Sequence, residues 1–197
     1  MLAHYVKRKL NDSTVRYLNQ CNSCNDRDYL EAILKAYTAP TVFCGKTGTL
    51  VNLVNPSRDL SRCWARDESI KHVVPLAHAE LRNPKGSLLL YFYDKKRLEH
   101  RLTDRRCRAF LKNRGYKYAT VDEAIAELKT RFLIGCPDEI GIFLGYPVSD
   151  VEAFSQRRHH RFVGYWKCYE NILLSKVRFF LFDLAKYFVM NKAMQEY

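Results

Sequence analysis

No stretch of the 197-residue chain approaches the roughly 20 uninterrupted apolar residues of a membrane-crossing helix. The most apolar segment, residues 177–190, is broken by Arg178, Asp183 and Lys186, so the sequence reads as not membrane-spanning. Residues 1–10 carry His4, Lys7, Arg8 and Lys9 with no apolar stretch after them. That leaves no recognisable secretory signal, and a cytoplasmic location is the expectation. Glycine and proline are few, at 8 and 6 residues, which excludes a collagen-like chain. No internal repeat and no low-complexity linker divides the sequence. Seven cysteines (Cys21, Cys24, Cys44, Cys63, Cys107, Cys136 and Cys168) are odd in number and scattered, which suits free thiols and not a disulfide framework. What is present, 47% hydrophobic and 27% charged residues, is the composition of an ordinary globular protein able to build its own core.

Periodicity supplies the elements. Residues 1–25 read as a polar, irregular N-terminal arm or packed-down extension with a short helix at 15–18, and 26–197 as one globular domain. Tyr29, Leu30, Ile33, Leu34 and Tyr37 share a helical face, with Pro40 expected to end that helix. Residues 41–44 and 50–54, separated by Gly45 and Gly48, read as two strands or as a strand and a bulge. The stretch 58–82 is expected to be helical in its second part, through Ile70, Val73, Val74, Ala77 and Leu81. Residues 87–93, SLLLYFY, have the make-up of a central buried strand. Residues 95–114 give one or two helices, with Thr103 or Asp104 capping the second and Gly115 closing it. Thr120 and Glu123 form a capping box, and Ser149 with Glu152 repeats the pattern. Residues 165–169 read as a strand. Asn171 then caps a last helix with Leu173, Val177, Phe180, Leu181, Leu184 and Phe188 on one face and Phe179 and Phe182 off it. The expected fold class is α/β or α+β, a single domain with a small mixed sheet of about three to four strands, packed with helices and ending in a long one.

The net charge of +12 is concentrated. Residues 94–118 hold ten Lys or Arg against three acids, and 157–168 add Arg157, Arg158, Arg161 and Lys167 with no acid. If the two segments adjoin, they form a phosphate-attracting surface on which Tyr116, Tyr118, Phe162 and Tyr165 could stack bases. Arg105, Arg106, Arg108, Arg157, Arg158 and Arg161 would then be its nucleic-acid contacts. A solvated helix face is the ordinary alternative, and no RRM, KH or helix-turn-helix pattern accompanies the charge.

Motifs for chemistry are sparse. Gly45-Lys46-Thr47 invites comparison with a phosphate-binding loop, but Pro40 stands where the first glycine belongs and a β-prone run follows where that motif needs a helix. Lys46 alone remains a candidate anion ligand. Cys21 and Cys24 have metal-ligand spacing without a second pair, so no metal site is assigned. His159 and His160 are adjacent, and the scattered His4, His72, His78 and His100 stand near no nucleophile at informative spacing. Asp138 and Glu139 suit a helix N-terminus. Read functionally, Glu139 is a candidate catalytic carboxylate, partly buried and paired with Lys46 or Lys167 at a pocket wall.

Several blocks together carry a resemblance: Ala39-Pro40-Thr41 with Lys46, the strand at 88–93, Gly115-Tyr116, Pro137, Glu139-Ile140-Gly141, Phe143-Leu144-Gly145-Tyr146-Pro147, Asp150-Val151, Phe154 and Gly164-Tyr165-Trp166-Lys167. From about residue 29 onward the chain resembles a family of small bacterial proteins, the domain of unknown function 3793. Asp138 stands where the family pattern has histidine, and Cys168 where it has valine. The resemblance implies no activity and no cofactor. It does imply that Lys46, Glu139, Tyr146, Trp166 and Lys167 form one constellation, with cations, a carboxylate and aromatic walls suited to a small anionic or planar ligand. Two other readings stand beside ligand binding. One is a nucleic-acid or protein-binding module using the basic segments, and the other a homodimer formed through exposed Phe179 and Phe182 of the last helix.

Overall fold

The structure is a computed structural model and describes residues 2–195. Its organising element is the strand β3 (Leu88–Tyr93), flanked by β1 (Gly48–Asn52) and β2 (Ala77–Arg82) in the order β1-β3-β2. Both pairings are antiparallel, with Tyr91 opposite Leu50 on one side and Ala79 on the other. Alternation along β3 sends Leu88, Leu90 and Phe92 into one core and Tyr91 and Tyr93 into a second. Helices cover both faces, which is why β3 reads as a continuous apolar run.

The first core is closed by α1 (Leu2–Cys21), α2 (Asp26–Phe43), α3 (Leu60–Arg66) and the far end of α9 (Ile172–Gln195). The second lies under α4 (Lys95–Thr103), α5 (Arg105–Asn113), α6 (Val121–Phe132), α7 (Ile140–Phe143) and α8 (Val148–Ser155). A small hairpin, β4 (Phe162–Val163) with β5 (Lys167–Cys168), lies against α9 over a third cluster of Trp166, Cys168, Phe179 and Phe182. The chain is thus α/β, with two small antiparallel sheets and a long C-terminal helix. No described helix is long and apolar enough to cross a membrane.

Local signals explain several boundaries. Asp104 caps α5 by accepting the Arg106 and Cys107 N–H groups, at 3.0 and 2.9 Å. Thr120 and Glu123 form the reciprocal capping box of α6.

Other elements depart from expectation for identifiable reasons. Pro40 does not end α2. It falls in the last turn, where its missing N–H forfeits a single i→i−4 bond, the one to Ala36 O, and residues 41–43 continue the helix instead of forming a strand. The Pro40 carbonyl then accepts both Cys44 N–H and Lys46 N–H, at 3.0 and 3.2 Å, closing the helix into a turn. Residues 77–82 are a strand and not a helix, because pairing with β3 buries Ala79 and Leu81 at period two. The N-terminal segment expected to be irregular is the helix α1, whose Tyr17 and Cys21 are buried in the first core. Ser149 makes no second capping box, since α8 starts after Pro147 with no side-chain cap. The strand expected over 165–169 is confined to Lys167–Cys168. On α9 the buried residues are Ser175, Phe179, Phe182, Ala185 and Met190. Phe179 and Phe182 therefore do not form an exposed dimer face, because the hairpin covers them. Leu173, Val177, Leu181 and Phe188 of the expected stripe are exposed, as is Leu174.

Candidate functional site

After α2 the chain turns through Gly45, whose φ of +71° is left-handed, and delivers Lys46 and Thr47 to the start of β1. Lys46 is only 8% exposed. Its Nζ donates to the Gly48 carbonyl and, at 3.2 Å, to Thr49 Oγ1, which in turn shares a 2.8 Å hydrogen bond with Thr41 Oγ1. No carboxylate neutralises it among the described residues. Burial, with a smaller contribution from the Lys186 charge, brings its pKa down from 10.5 to about 7.

The same turn fixes α4. Thr47 O accepts Asp94 N–H at 3.1 Å, and the Asp94 side chain caps α4 through Arg97 N–H at 2.9 Å. Lys96, Arg97, His100 and Arg101 then fall at i, i+1, i+4 and i+5, on one helical face turned toward Lys46. Arg178 and Phe182 of α9 approach from another side, and Leu144, Gly145 and Trp166 complete the wall. Gly145 is needed there: its φ is +83°, and a Cβ would lie 2.6 Å from Thr47 Oγ1.

These residues enclose a cavity of about 580 Å³ whose lining has six basic side chains and no carboxylate. Arg97 is the one lining cation in an ion pair among the described residues, with Asp94 at 3.3 Å. Arg101 donates through Nη2 to the Tyr146 carbonyl, while its Nε is buried with no described partner. A buried donor without an acceptor costs about 1–3 kcal/mol.

A second cavity, of about 450 Å³, has an apolar wall that includes Leu50, Ile140, Leu144, Val151, Phe154 and Tyr146. Lys167 sits with its ammonium 5.3 Å from the Phe154 ring centre. Asp138 also lines this cavity. Trp166 stands between the two cavities, stacked on Tyr146 with centroids 4.8 Å apart. Burial pushes the Tyr146 phenol up to about 12, so it stays protonated at neutral pH. Buried Asp150 fixes this arrangement. It accepts Trp166 Nε1–H at 2.8 Å and the backbone N–H groups of Tyr169 and Glu170 at 2.9 and 3.2 Å.

The fold therefore distributes the five residues expected to form one constellation. Lys46 lines the cationic cavity, Tyr146 and Lys167 the apolar one, and Trp166 both. Glu139 lines neither. Its partner is neither Lys46 nor Lys167 but Arg131 of α6, which donates from Nη1 at 3.1 Å, also pairs with Glu127 at 2.9 Å, and lies 4.2 Å over the Tyr116 ring. Arg105, Arg106 and Arg108 lie on α5, and Arg157, Arg158 and Arg161 follow α8. The two groups come near each other where Arg106 approaches Glu152 at 4.0 Å. None of these six arginines lines either cavity. Of the aromatics expected to stack bases, Tyr116 is buried, and Phe162 and Tyr165 pack on Phe179. Sequence reasoning missed Lys96, Arg97, His100 and Arg101 as a site, although their helical spacing was a usable signal. Arg178 had no such signal, because only the tertiary fold brings α9 to α4.

No curated protein and no solved structure matches the chain. A family model described as protein of unknown function (DUF3793) matches residues 34–197, the span that holds both cavities and the whole of the Glu139 to Lys167 block. The chain belongs to the DUF3793 family.

Proposed function

We propose that the protein binds a small, multiply charged anion, such as a phosphate ester, in the cavity around Lys46. The observation that carries this reading is a cavity with Lys46, Lys96, Arg97, His100, Arg101 and Arg178 in its wall, no carboxylate in that wall, and only Arg97 ion-paired among the described residues. Converging cations beside low-dielectric walls focus potential and raise the local concentration of anions. With a pKa of about 7, Lys46 is a mixture of ammonium and amine at neutral pH, able to hold an anion or to accept a proton. Glu139, paired with Arg131 away from both cavities, is assigned a structural role in this proposal.

Titration calorimetry with pyrophosphate at fixed ionic strength tests the reading. Saturable one-site binding is expected, weakened about tenfold or more by Arg97→Glu and by Arg178→Glu, a change of roughly 1.4 kcal/mol or more in each case. Glu139→Gln should leave the affinity unchanged. Absence of binding, or equal binding in both charge-reversed variants, would refute the proposal.

A second reading, nucleic-acid binding, draws on a shallow cleft of about 770 Å³ lined by Arg105, Arg108, Lys112 and Lys117. It predicts affinity that falls steeply with salt and is lost when Arg105, Arg106 and Arg108 become Glu.

A further inference from the structure

Leu144 and Trp166 line both cavities, so only one layer of side chains separates the cationic chamber from the apolar one. The Trp166 part of that layer is held in place, and Leu144 forms the other part. The Trp166 indole is anchored by Asp150 at 2.8 Å and meets the Phe179 ring edge-on at 4.4 Å, while Tyr146 stacks on it. The chemistry on its two sides is opposite. On the first side there are six basic side chains, of which only Arg97 is ion-paired among the described residues. On the second, Leu50, Ile140, Val151 and Phe154 dominate, Lys167 and Asp138 supply one charge of each sign, and the one buried carboxylate, Asp150, already accepts three hydrogen bonds. A purely inorganic anion would fill the first chamber and leave the second without a partner. Its volume of about 450 Å³ lies within the range of small-molecule pockets.

We infer that the natural ligand is amphiphilic: a phosphate ester whose head lies among Lys46, Arg97 and Arg178 and whose aliphatic group passes Leu144 into the second cavity. This rests on the anion-binding reading and adds the class of ligand to it. An aliphatic group is favoured over a planar one, because Tyr146 and Phe179 already occupy the indole, leaving Leu50, Ile140, Val151 and Phe154 to supply the contact.

The test is a calorimetric series of methyl, butyl and octyl phosphate, all below their aggregation concentrations, with inorganic phosphate as reference. The head charge is constant across the esters, so chain length is the only variable. Each buried methylene should tighten binding about threefold to fourfold, the equivalent of ~0.8 kcal/mol, until the cavity is full. Phe154→Glu, at a half-buried position on the cavity wall, should flatten the series while leaving inorganic phosphate affinity intact. Cys136→Trp, at an exposed position on the same cavity's lining, is an independent block with the same expected effect. Inorganic phosphate binding with no dependence on chain length would overturn the amphiphile inference and leave the anion reading standing. A chain-length gain that persists in both blocked variants would also overturn it. Failure of every phosphate to bind would overturn both.

Discussion

Replacing Asp150 by alanine is expected to destabilise the protein by about 3–5 kcal/mol, read from urea unfolding with tryptophan fluorescence. The magnitude follows from what the carboxylate satisfies: one indole N–H and two backbone N–H groups, all from the 166–170 segment. Asp150 is 2% exposed, so no solvent replaces it, and each stranded donor costs roughly 1–3 kcal/mol. Asp150→Asn keeps one carbonyl acceptor and should lose about half as much. The contrast with Glu139 is informative, since that side chain is nearly as buried but has one ion-pair partner among the described residues, Arg131, which keeps Glu127 when Glu139 is neutralised. Glu139→Gln should therefore cost about 1–2 kcal/mol. An Asp150→Ala loss below about 1 kcal/mol would show that the Trp166 wall does not depend on this residue.

Lys46→Met is expected to do the opposite to stability while removing function. The folded pKa of Lys46, about 7, lies below the unfolded value of 10.5. Below pH 7 both states are protonated, and the fold carries the full penalty of a buried, unneutralised ammonium. Between about pH 7 and 10.5 the unfolded state holds one more proton, so wild-type stability rises with pH, and above that window the penalty is gone. Methionine fills similar volume without the charge but leaves the Gly48 carbonyl and Thr49 hydroxyl short of a donor. At pH 6 the net gain should be about 1–3 kcal/mol, and it should reverse sign by about pH 10, where the charge penalty has gone and the lost hydrogen bonds remain. The variant should also lose sulfate affinity about tenfold or more. In the wild type, sulfate binding should strengthen as pH falls from 9 to 6, since an anion favours the Lys46 ammonium. A Lys46→Met variant less stable than wild type at pH 6 would contradict the assigned burial penalty. A group that lowers stability and stands in a cavity lined by cations is what the proposed anion binding would lead one to expect.

The sequence made some of this legible because local chemistry decided it. SLLLYFY could be read as a central strand, since burial on both faces removes the polar alternation of an exposed sheet. Asp104 and the Thr120–Glu123 box announced their helices through side chains that cap within three residues. Residues 77–82 misled because Ala77 and Leu81 also fit a helical period, and only pairing with β3 selects the strand. Pro40 misled because proline's effect depends on its distance from the helix end. In the site, residues 136–154 and the Gly164–Lys167 block stood out as the motif that carries the family resemblance, and Tyr146, Trp166 and Lys167 line one cavity, with Tyr146 stacked on Trp166. Glu139 sits in the same motif, yet a helix from a different segment supplies its partner. The cationic cavity was hidden for a similar reason. Lys46, the α4 cations and Arg178 come from three distant segments, and nothing local indicates that α4 turns its basic face toward the turn after α2.

The two tryptophans offer the most direct test of the central claim. Trp166 lines both cavities, whereas Trp64 is buried in the first core and donates its indole N–H to Glu80 at 2.8 Å. A ¹H–¹⁵N spectrum therefore holds one indole signal that reports on the site and one internal control. On titration with pyrophosphate, the account predicts a saturable shift of the Trp166 indole with the Trp64 signal unmoved, and loss of that shift in Arg97→Glu. Pyrophosphate binding that leaves the Trp166 indole still and perturbs the amides around Arg105 and Arg108 would place the anion on α5 and contradict the account.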